Sequence, residues 1–220
     1  MTLRKHSASS VETELKYSLS KEEYLKLKKY LKIFFIHKKQ QTNFYFDTPQ
    51  LNLKKNKIGL RIRIEDSHQA TLTMKLPAKK IKSSMAGLKV RIEIETPVKM
   101  TTARTLIKNK KNISSLKNKA IKKLSQTVTK PDLDALICLG SLKNERIVFQ
   151  HPEIGILELD RSHFFGNTFY ELEIETDEPR KIHPQITHLF RELKIVYCPG
   201  QQSKLERFLR EWKLQAKKKA

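Results

Sequence analysis

Acidic residues are scarce in this 220-residue chain: 23 Asp and Glu stand against 45 Lys and Arg, a formal charge of +22. Such an excess favours polyanionic partners over acidic surfaces, without choosing among nucleic acid, anionic lipid, polyphosphate and nucleotides. Cysteine is nearly absent. Cys138 and Cys198 are far apart and neither has a neighbouring His at ligand spacing, which argues against a zinc site or a disulfide framework and for reduced thiols. No stretch approaches the roughly 18 apolar residues of a membrane span, and Met1–Ser10 lacks the apolar middle of a secretory signal, so the expected compartment is the cytoplasm, with no membrane partner. No repeat of fixed period and no low-complexity linker marks a domain boundary, so a single domain over 1–220 is expected.

What is present is charge placed at strand spacing. In Val11–Tyr17 the charges Glu12, Glu14 and Lys16 alternate with Val11, Thr13, Leu15 and Tyr17, which sends them to one face of a strand and the apolar residues to the other. One such strand is what any solvated sheet shows. The pattern recurs, however, as Arg61, Arg63 and Glu65 in Leu60–Glu65, as Lys89, Arg91, Glu93 and Glu95 in Leu88–Glu95, and as Glu171, Glu173 and Glu175 in Tyr170–Glu175. Rolled into a closed sheet with charged faces inward and apolar faces under helices, these rows would line a channel, an inside-out barrel of the α+β class. Desolvating them is costly unless water, metal or an anionic ligand fills the channel, so the pattern argues for a site and against a core.

The remaining elements follow from local signals. Ser20 and Glu23 form a capping box that opens a helix to about Lys32, with Tyr24, Leu27 and Leu31 on its buried side. Asn43–Asp47 reads as a strand, Gln50–Lys55 as a short helical piece after Pro49, and Gln69–Leu76 as the return strand of a hairpin that puts Lys75 with the charged set. Pro77–Ala86 is a basic loop, and Pro97 is expected to stop the strand before it. Residues 99–141 change character: apolar positions at helical intervals among lysines predict two or three short helices outside the barrel. Strands at Leu142–Gln150, Gly155–Phe164 and Thr168–Thr176 make a meander, with Gly166-Asn167 as a hairpin turn. Helices follow at Pro184–Lys194 and at Gln201–Leu214, the latter burying Leu205, Phe208, Leu209 and Trp212, before a basic tail at Ala216–Ala220. His151 and His163 beside turns read as ordinary surface residues and not as bases.

The segment VETELKY carries the Glu-x-Glu-x-Lys pattern of the CYTH domain, also called the triphosphate tunnel metalloenzyme fold. NFYFDTPQLNLKKNKIGLRIR, TLTMKLP, LKVRIEIE, LGSLKNERIVF, GILELDRSHFFG and FYELEIE follow in the order found in that family. The chain thus resembles the family from about Val11 to Arg207. The resemblance implies a closed eight-stranded antiparallel barrel with helices outside, and hydrolysis of triphosphate-containing substrates with magnesium or manganese. It implies that Glu12, Glu14, Asp160, Glu171 and Glu173 hold metal, with Glu175 continuing the same row. Lys16, Arg61, Arg63, Lys75, Arg146 and Lys204 would bind phosphate oxygens, and Glu93 and Glu95 would stand near a second metal or the attacking water. Asn144 departs from the family pattern, where a basic residue is common two positions before Arg146.

Chemistry makes sense of the set. A triphosphate carries about four to five negative charges near neutral pH; Arg offers phosphate a bidentate fork and Lys a point charge, and oxygen-only carboxylate donors suit a hard divalent cation. Inorganic triphosphate or another short triphosphate is the expected small-molecule substrate, with adenylyl cyclase of the class IV type or thiamine or nucleoside triphosphatase as alternatives. A non-catalytic polyphosphate or nucleic-acid binding module is the alternative of another class. Against it, tunnel glutamates repel a polyanion that comes without metal, and the aromatics sit in apolar strand faces instead of among exposed basic residues. Cross-strand ion pairs that only set sheet register are the bland reading of the same charges. Oligomeric state, monomer or homodimer, is not legible.

Overall fold

The computed structural model describes residues 10–78, 85–200 and 202–219. The basic loop expected at Pro77–Ala86 falls largely outside them, as do Met1–Ser9 and Ala220. The elements in chain order are β1 (Ser10–Leu19), α1 (Lys21–Tyr30), β2 (Phe35–Asp47), α2 (Asn52–Lys55), β3 (Gly59–Glu65), β4 (Gln69–Pro77), β5 (Leu88–Val98), α3 (Met100–Ile107), α4 (Lys119–Ser125), α5 (Lys130–Asp134), β6 (Ile137–His151), β7 (Gly155–Phe164), β8 (Asn167–Glu175), α6 (Pro179–Glu192) and α7 (Lys204–Lys219). The eight strands close into an antiparallel barrel in the order β1-β5-β4-β3-β2-β6-β7-β8, with β8 returning to β1. Closure leaves no sheet edge unpaired.

The chain folds as two compact units, one made of Met1–Val11, Gln41–Lys79 and Arg91–Leu142, the other of Glu12–Gln40, Lys80–Val90 and Lys143–Ala220. In the first, period-two alternation puts Phe46, Leu60, Ile62, Leu72, Met74 and Ile94 on one face. There they pack with Leu53 of α2, Ala103 and Leu106 of α3, and Ile121 and Leu124 of α4. In the second, Leu15, Tyr17, Phe149, Leu157, Leu159, Leu172 and Ile174 pack with Tyr24 and Leu27 of α1 and Ile186, Leu189 and Phe190 of α6. In each unit the charged row therefore occupies the strand face turned away from these helices.

Local chemistry fixes the ends. The Ser20 hydroxyl accepts from Glu23 N at 3.2 Å while the Glu23 carboxylate accepts from Ser20 N at 2.7 Å, the capping box that starts α1. Asp47 Oδ1 accepts from Thr48 N and Leu53 N and its Oδ2 from Lys54 N, which holds the start of α2 against β2. The β7–β8 turn centres on Phe165 and Gly166, not on Gly166-Asn167: both have positive φ, 48° and 79°, as a two-residue type I′ hairpin requires.

Several boundaries differ from the sequence expectation. Pro97 lies inside β5, which pairs on to Val98 because β4 continues opposite it to Ala70. β2 begins at Phe35, where Lys38 meets Glu145 at 2.6 Å and the Phe35 ring meets Phe149, long-range contacts that override a polar, lysine-rich stretch. β6 begins at Ile137, five residues earlier than its apolar alternation indicates. The α1 helix stops at Tyr30 and a single 3-10 turn over Leu31–Phe34 takes the place of its expected last residues. α6 starts at Pro179, where a missing N–H costs nothing, and tolerates Pro184 inside. α7 runs on through the expected basic tail to Lys219; Phe208 and Leu209 are buried on it, whereas Leu205 and Trp212 are half-buried.

Candidate active site

On β8, Glu171 and Glu173 share a face, and the register sets Glu173 opposite Lys16 of β1 and Glu158 of β7, with Glu171 opposite Asp160. On β6, Arg146 lies opposite Asp160. Lys16 is pinned by its backbone: its N–H donates to Gly87 O at 3.0 Å and its carbonyl accepts from Gly200 N at 2.8 Å. Both partners need to be glycine. A Cβ on Gly87, at φ 82°, would stand 2.8 Å from the Lys16 carbonyl, and one on Gly200 would stand 2.5 Å from Lys16 Cγ.

α7 reaches this charged face from its first turns. Lys204 Nζ is 2.7 Å from Asp160 Oδ2, 2.8 Å from Glu171 Oε2 and 2.6 Å from Glu173 Oε1, so three carboxylates converge on one ammonium. Arg207, one helical turn on, bonds Glu171 and lies over the Phe169 ring at 5.1 Å. Beside them Phe208 meets Phe164 and Phe165, and Phe164 stacks on Phe169 with centroids 5.0 Å apart, an apolar stopper next to the charges.

Arg146 ties the cluster together. Its Nε donates to Asp160 Oδ1 at 2.8 Å, one terminal nitrogen reaches Asp160 Oδ2 and Glu173 Oε2 at 2.6 Å each, and the other bonds Glu158. Lys16 bonds Glu173 and stands 3.5 Å from Glu14 and 3.9 Å from Glu171. Asn144 donates to Asp160 Oδ1 at 3.0 Å and accepts from the Ser162 hydroxyl at 2.8 Å. Asp160 and Glu171 are fully buried, and Lys16 is 3% exposed.

The protonation states follow from these contacts. Burial alone would raise Glu173, but Lys16, Lys204 and Arg146 outweigh it and hold the carboxyl well below the ordinary range. Asp160 and Glu171 are lowered too, against the same cost of burial, by Arg146 and Lys204 in one case and by Lys16 and Lys204 in the other. Glu158 goes the opposite way: burial, with Asp160 and Glu173 nearby, outweighs its bond to Arg146 and raises it. Burial would lower Lys16 and Lys204, and the surrounding carboxylates instead raise both.

A second charged cluster sits on β3, β4 and β5. Glu93 Oε1 and Oε2 lie 3.5 Å from Arg61 and 3.4 Å from Lys75, Thr73 Oγ1 donates to Glu95 Oε1 at 3.0 Å, and Arg63 Nε donates to Asn43 Oδ1 of β2 at 2.9 Å. The register matches: Lys75 faces Glu93 and Thr73 faces Glu95.

Of the expected site residues, Lys16, Arg146, Asp160, Glu171, Glu173 and Lys204 are thus brought into one network with Glu14 at its margin, and Arg61, Lys75 and Glu93 into another. Glu12 is half-buried on the face of β1 that carries Glu14. Two members were missed. Glu158 stands two residues before Asp160 on a strand and Arg207 three after Lys204 on a helix, so each shares the face of a residue already singled out. His163 is exposed and bonds Thr168, while His151, expected on the surface, is buried and accepts from the turn amides of Glu153 and Ile154.

A family model for the CYTH domain matches residues 10–209. The chain belongs to the CYTH family. Among solved structures, this CYTH protein is similar to a Hippeastrum protein named as an adenylyl cyclase and described as having a dominant triphosphatase activity, with 27% identity over 91% of this chain and 96% of that one and a TM-score of 0.81. It is also similar to a Bacillus halodurans protein named as an adenylate cyclase, at 26% identity over 92% and 99% of the two chains and a TM-score of 0.74. The Pyrococcus horikoshii protein PH1819, at 21% identity over 91% and 99% and a TM-score of 0.55, shares the fold. A comparison with curated proteins found no match.

Divalent metal serves the CYTH tunnel enzymes in general. Among the described residues no group of three or more Asp, Glu, His or Cys side chains is arranged for a metal ion. The carboxylates are instead gathered on the Lys204 ammonium, which donates to one oxygen of each at 2.6–2.8 Å. In ligand type alone, the carboxylates of Asp160, Glu171 and Glu173 suit a hard divalent ion; their arrangement here serves the ammonium.

Proposed function

We propose that this CYTH protein hydrolyses inorganic triphosphate, or a similarly short triphosphate, with magnesium or manganese. The observation that carries the reading is the buried network of Lys16, Arg146, Asp160, Glu171, Glu173 and Lys204. A fold gains little from burying so many charges, and replacing such networks by apolar residues is often neutral or stabilising, so their retention points to a highly charged ligand. The similarity to a Hippeastrum protein with triphosphatase activity supports the same substrate class.

In this reading Lys16, Arg146 and Lys204 donate to phosphate oxygens in the carboxylate-rich cluster, and Arg61, Arg63 and Lys75 do so in the other. Glu12, Glu14, Asp160, Glu171 and Glu173 supply metal ligands. The metal, when bound, neutralises phosphate charge and acidifies a water. Glu93 and Glu95 would orient the attacking water, positioning and electrostatics doing the rest. No helix among the described residues is long and apolar enough to cross a membrane. The free thiols of Cys138 and Cys198 fit a cytoplasmic setting.

The names of the two most similar structures quoted above favour one second reading, adenylyl cyclase. Incubation with inorganic triphosphate, ATP, thiamine triphosphate or longer polyphosphate in magnesium, followed by assay of phosphate and cyclic AMP, separates the two. Fastest phosphate release from inorganic triphosphate is expected. Cyclic AMP as the main product from ATP would replace the first reading by the second, and binding of every polyanion without turnover would leave a binding module.

A further inference from the structure

Asn43 lies on β2 opposite Arg63 and is 1% exposed. Alternation puts it with Gln41 and Tyr45 on the strand face that carries Arg61 and Arg63, away from Phe44, Phe46, Leu60 and Ile62, which pack in the apolar cluster. Arg63 Nε donates to its Oδ1 at 2.9 Å. A guanidinium only donates, so this contact decides which end of the amide faces the arginine. The NH2 end is left over. That Nδ2 is buried and has no hydrogen-bond partner among the described residues.

Nearby carboxylates are engaged by other donors: Glu65 accepts from Gln41 at 2.9 Å, Glu95 from Thr73, and Glu93 stands between Arg61 and Lys75. Buried polar groups in folded proteins are nearly always paired. A bare donor held in place by one arginine, on a face with a second arginine and a lysine, is built for an anionic oxygen from outside the chain.

We propose that Asn43 is a substrate-binding residue whose Nδ2 donates to a phosphate oxygen paired with Arg63, and so sets the register of the triphosphate. This rests on the triphosphate reading above. Being neutral and direction-specific, the amide adds what a point charge lacks: it donates to an unprotonated oxygen at one place only.

Steady-state phosphate release from inorganic triphosphate in magnesium, with KM read as the affinity, on wild type, Asn43→Asp and Asn43→Ala, tests it. Asp keeps the oxygen that Arg63 needs and nearly the same shape, but turns the donor into a charged acceptor. The proposal expects affinity to fall by about 20-fold or more for Asn43→Asp and by about fivefold for Asn43→Ala. Because the added carboxylate of Asp also repels a polyanion, the deciding comparison is Asn43→Ala made in an Arg63→Ala background: a further loss of affinity is expected, and no further loss, as an anchor acting only through Arg63 would give, overturns the proposal. Thermal melting reports whether each variant folds; should Asn43→Asp fail to fold, wild-type affinity in Asn43→Ala overturns the proposal by itself. A wild-type protein that turns over no triphosphate would remove the underlying reading, whereas a wild-type KM left unchanged in both variants removes the Asn43 role alone.

Discussion

In the cluster on β1, β6, β7, β8 and α7, ammonium and guanidinium groups sit 2.6–2.8 Å from carboxylates that are almost wholly buried; on β3, β4 and β5 the cations Arg61 and Lys75 stand 3.4–3.5 Å from Glu93, and the Lys75 side chain is 29% exposed. The same strand alternation built both. The first is dehydrated and densely paired, so its members hold one another in place and a ligand must exchange with an internal partner. The second is looser, leans on neutral groups such as Thr73 and Asn43, and gives up its contacts to a ligand at little cost.

Removing one carboxylate from each cluster should expose that difference most strongly. Glu173→Gln leaves Lys16, Arg146 and Lys204 facing a neutral amide, and should cost about 3–5 kcal/mol of stability in a denaturant titration. Glu93→Gln should cost less than about 1 kcal/mol. Equal losses would erase the distinction between a locked cluster and a loose one.

A smaller effect should appear with acid. Asp160, Glu171 and Glu173 titrate lower in the folded chain than ordinary carboxyls. Each therefore contributes stability that is fully present above its unfolded value, near 4 to 4.5, and that is lost as the pH falls through the folded value. Glu158 is raised and acts against them: it weakens the fold at neutral pH, and its protonation relieves that first. Melting temperature should stay level from neutrality to about pH 5 and then fall as the pH drops below about 4. In Glu173→Gln the fall should be shallower, and an equally steep fall would place the acid sensitivity outside this cluster.

The part of the barrel that could be read from the sequence was the part where charge alternates with aliphatic residues. At β1, β3, β5 and β8 three or four charges at i and i+2 leave only one assignment of faces, and the site residues come with it. β2 hid its first half because Phe35–Gln40 is exposed and polar along most of its length, its strand state being set by Glu145 and Phe149 far along the chain. Likewise α7 is plainly amphipathic, yet periodicity tells which face is apolar and not which surface it meets, so the approach of Phe208 to Phe164 of β7 was not visible. Division into two units depends on long-range contacts that no local pattern records. Glu158 and Arg207 were within reach, since spacing alone placed them beside residues already chosen.

The most direct test of the account is phosphate release from inorganic triphosphate by the wild-type protein with magnesium present, repeated after chelation and with Glu14→Gln. Turnover that needs the metal and is lost in a Glu14→Gln variant that still folds is the predicted result. Turnover indifferent to chelator, or retained without Glu14, would contradict it.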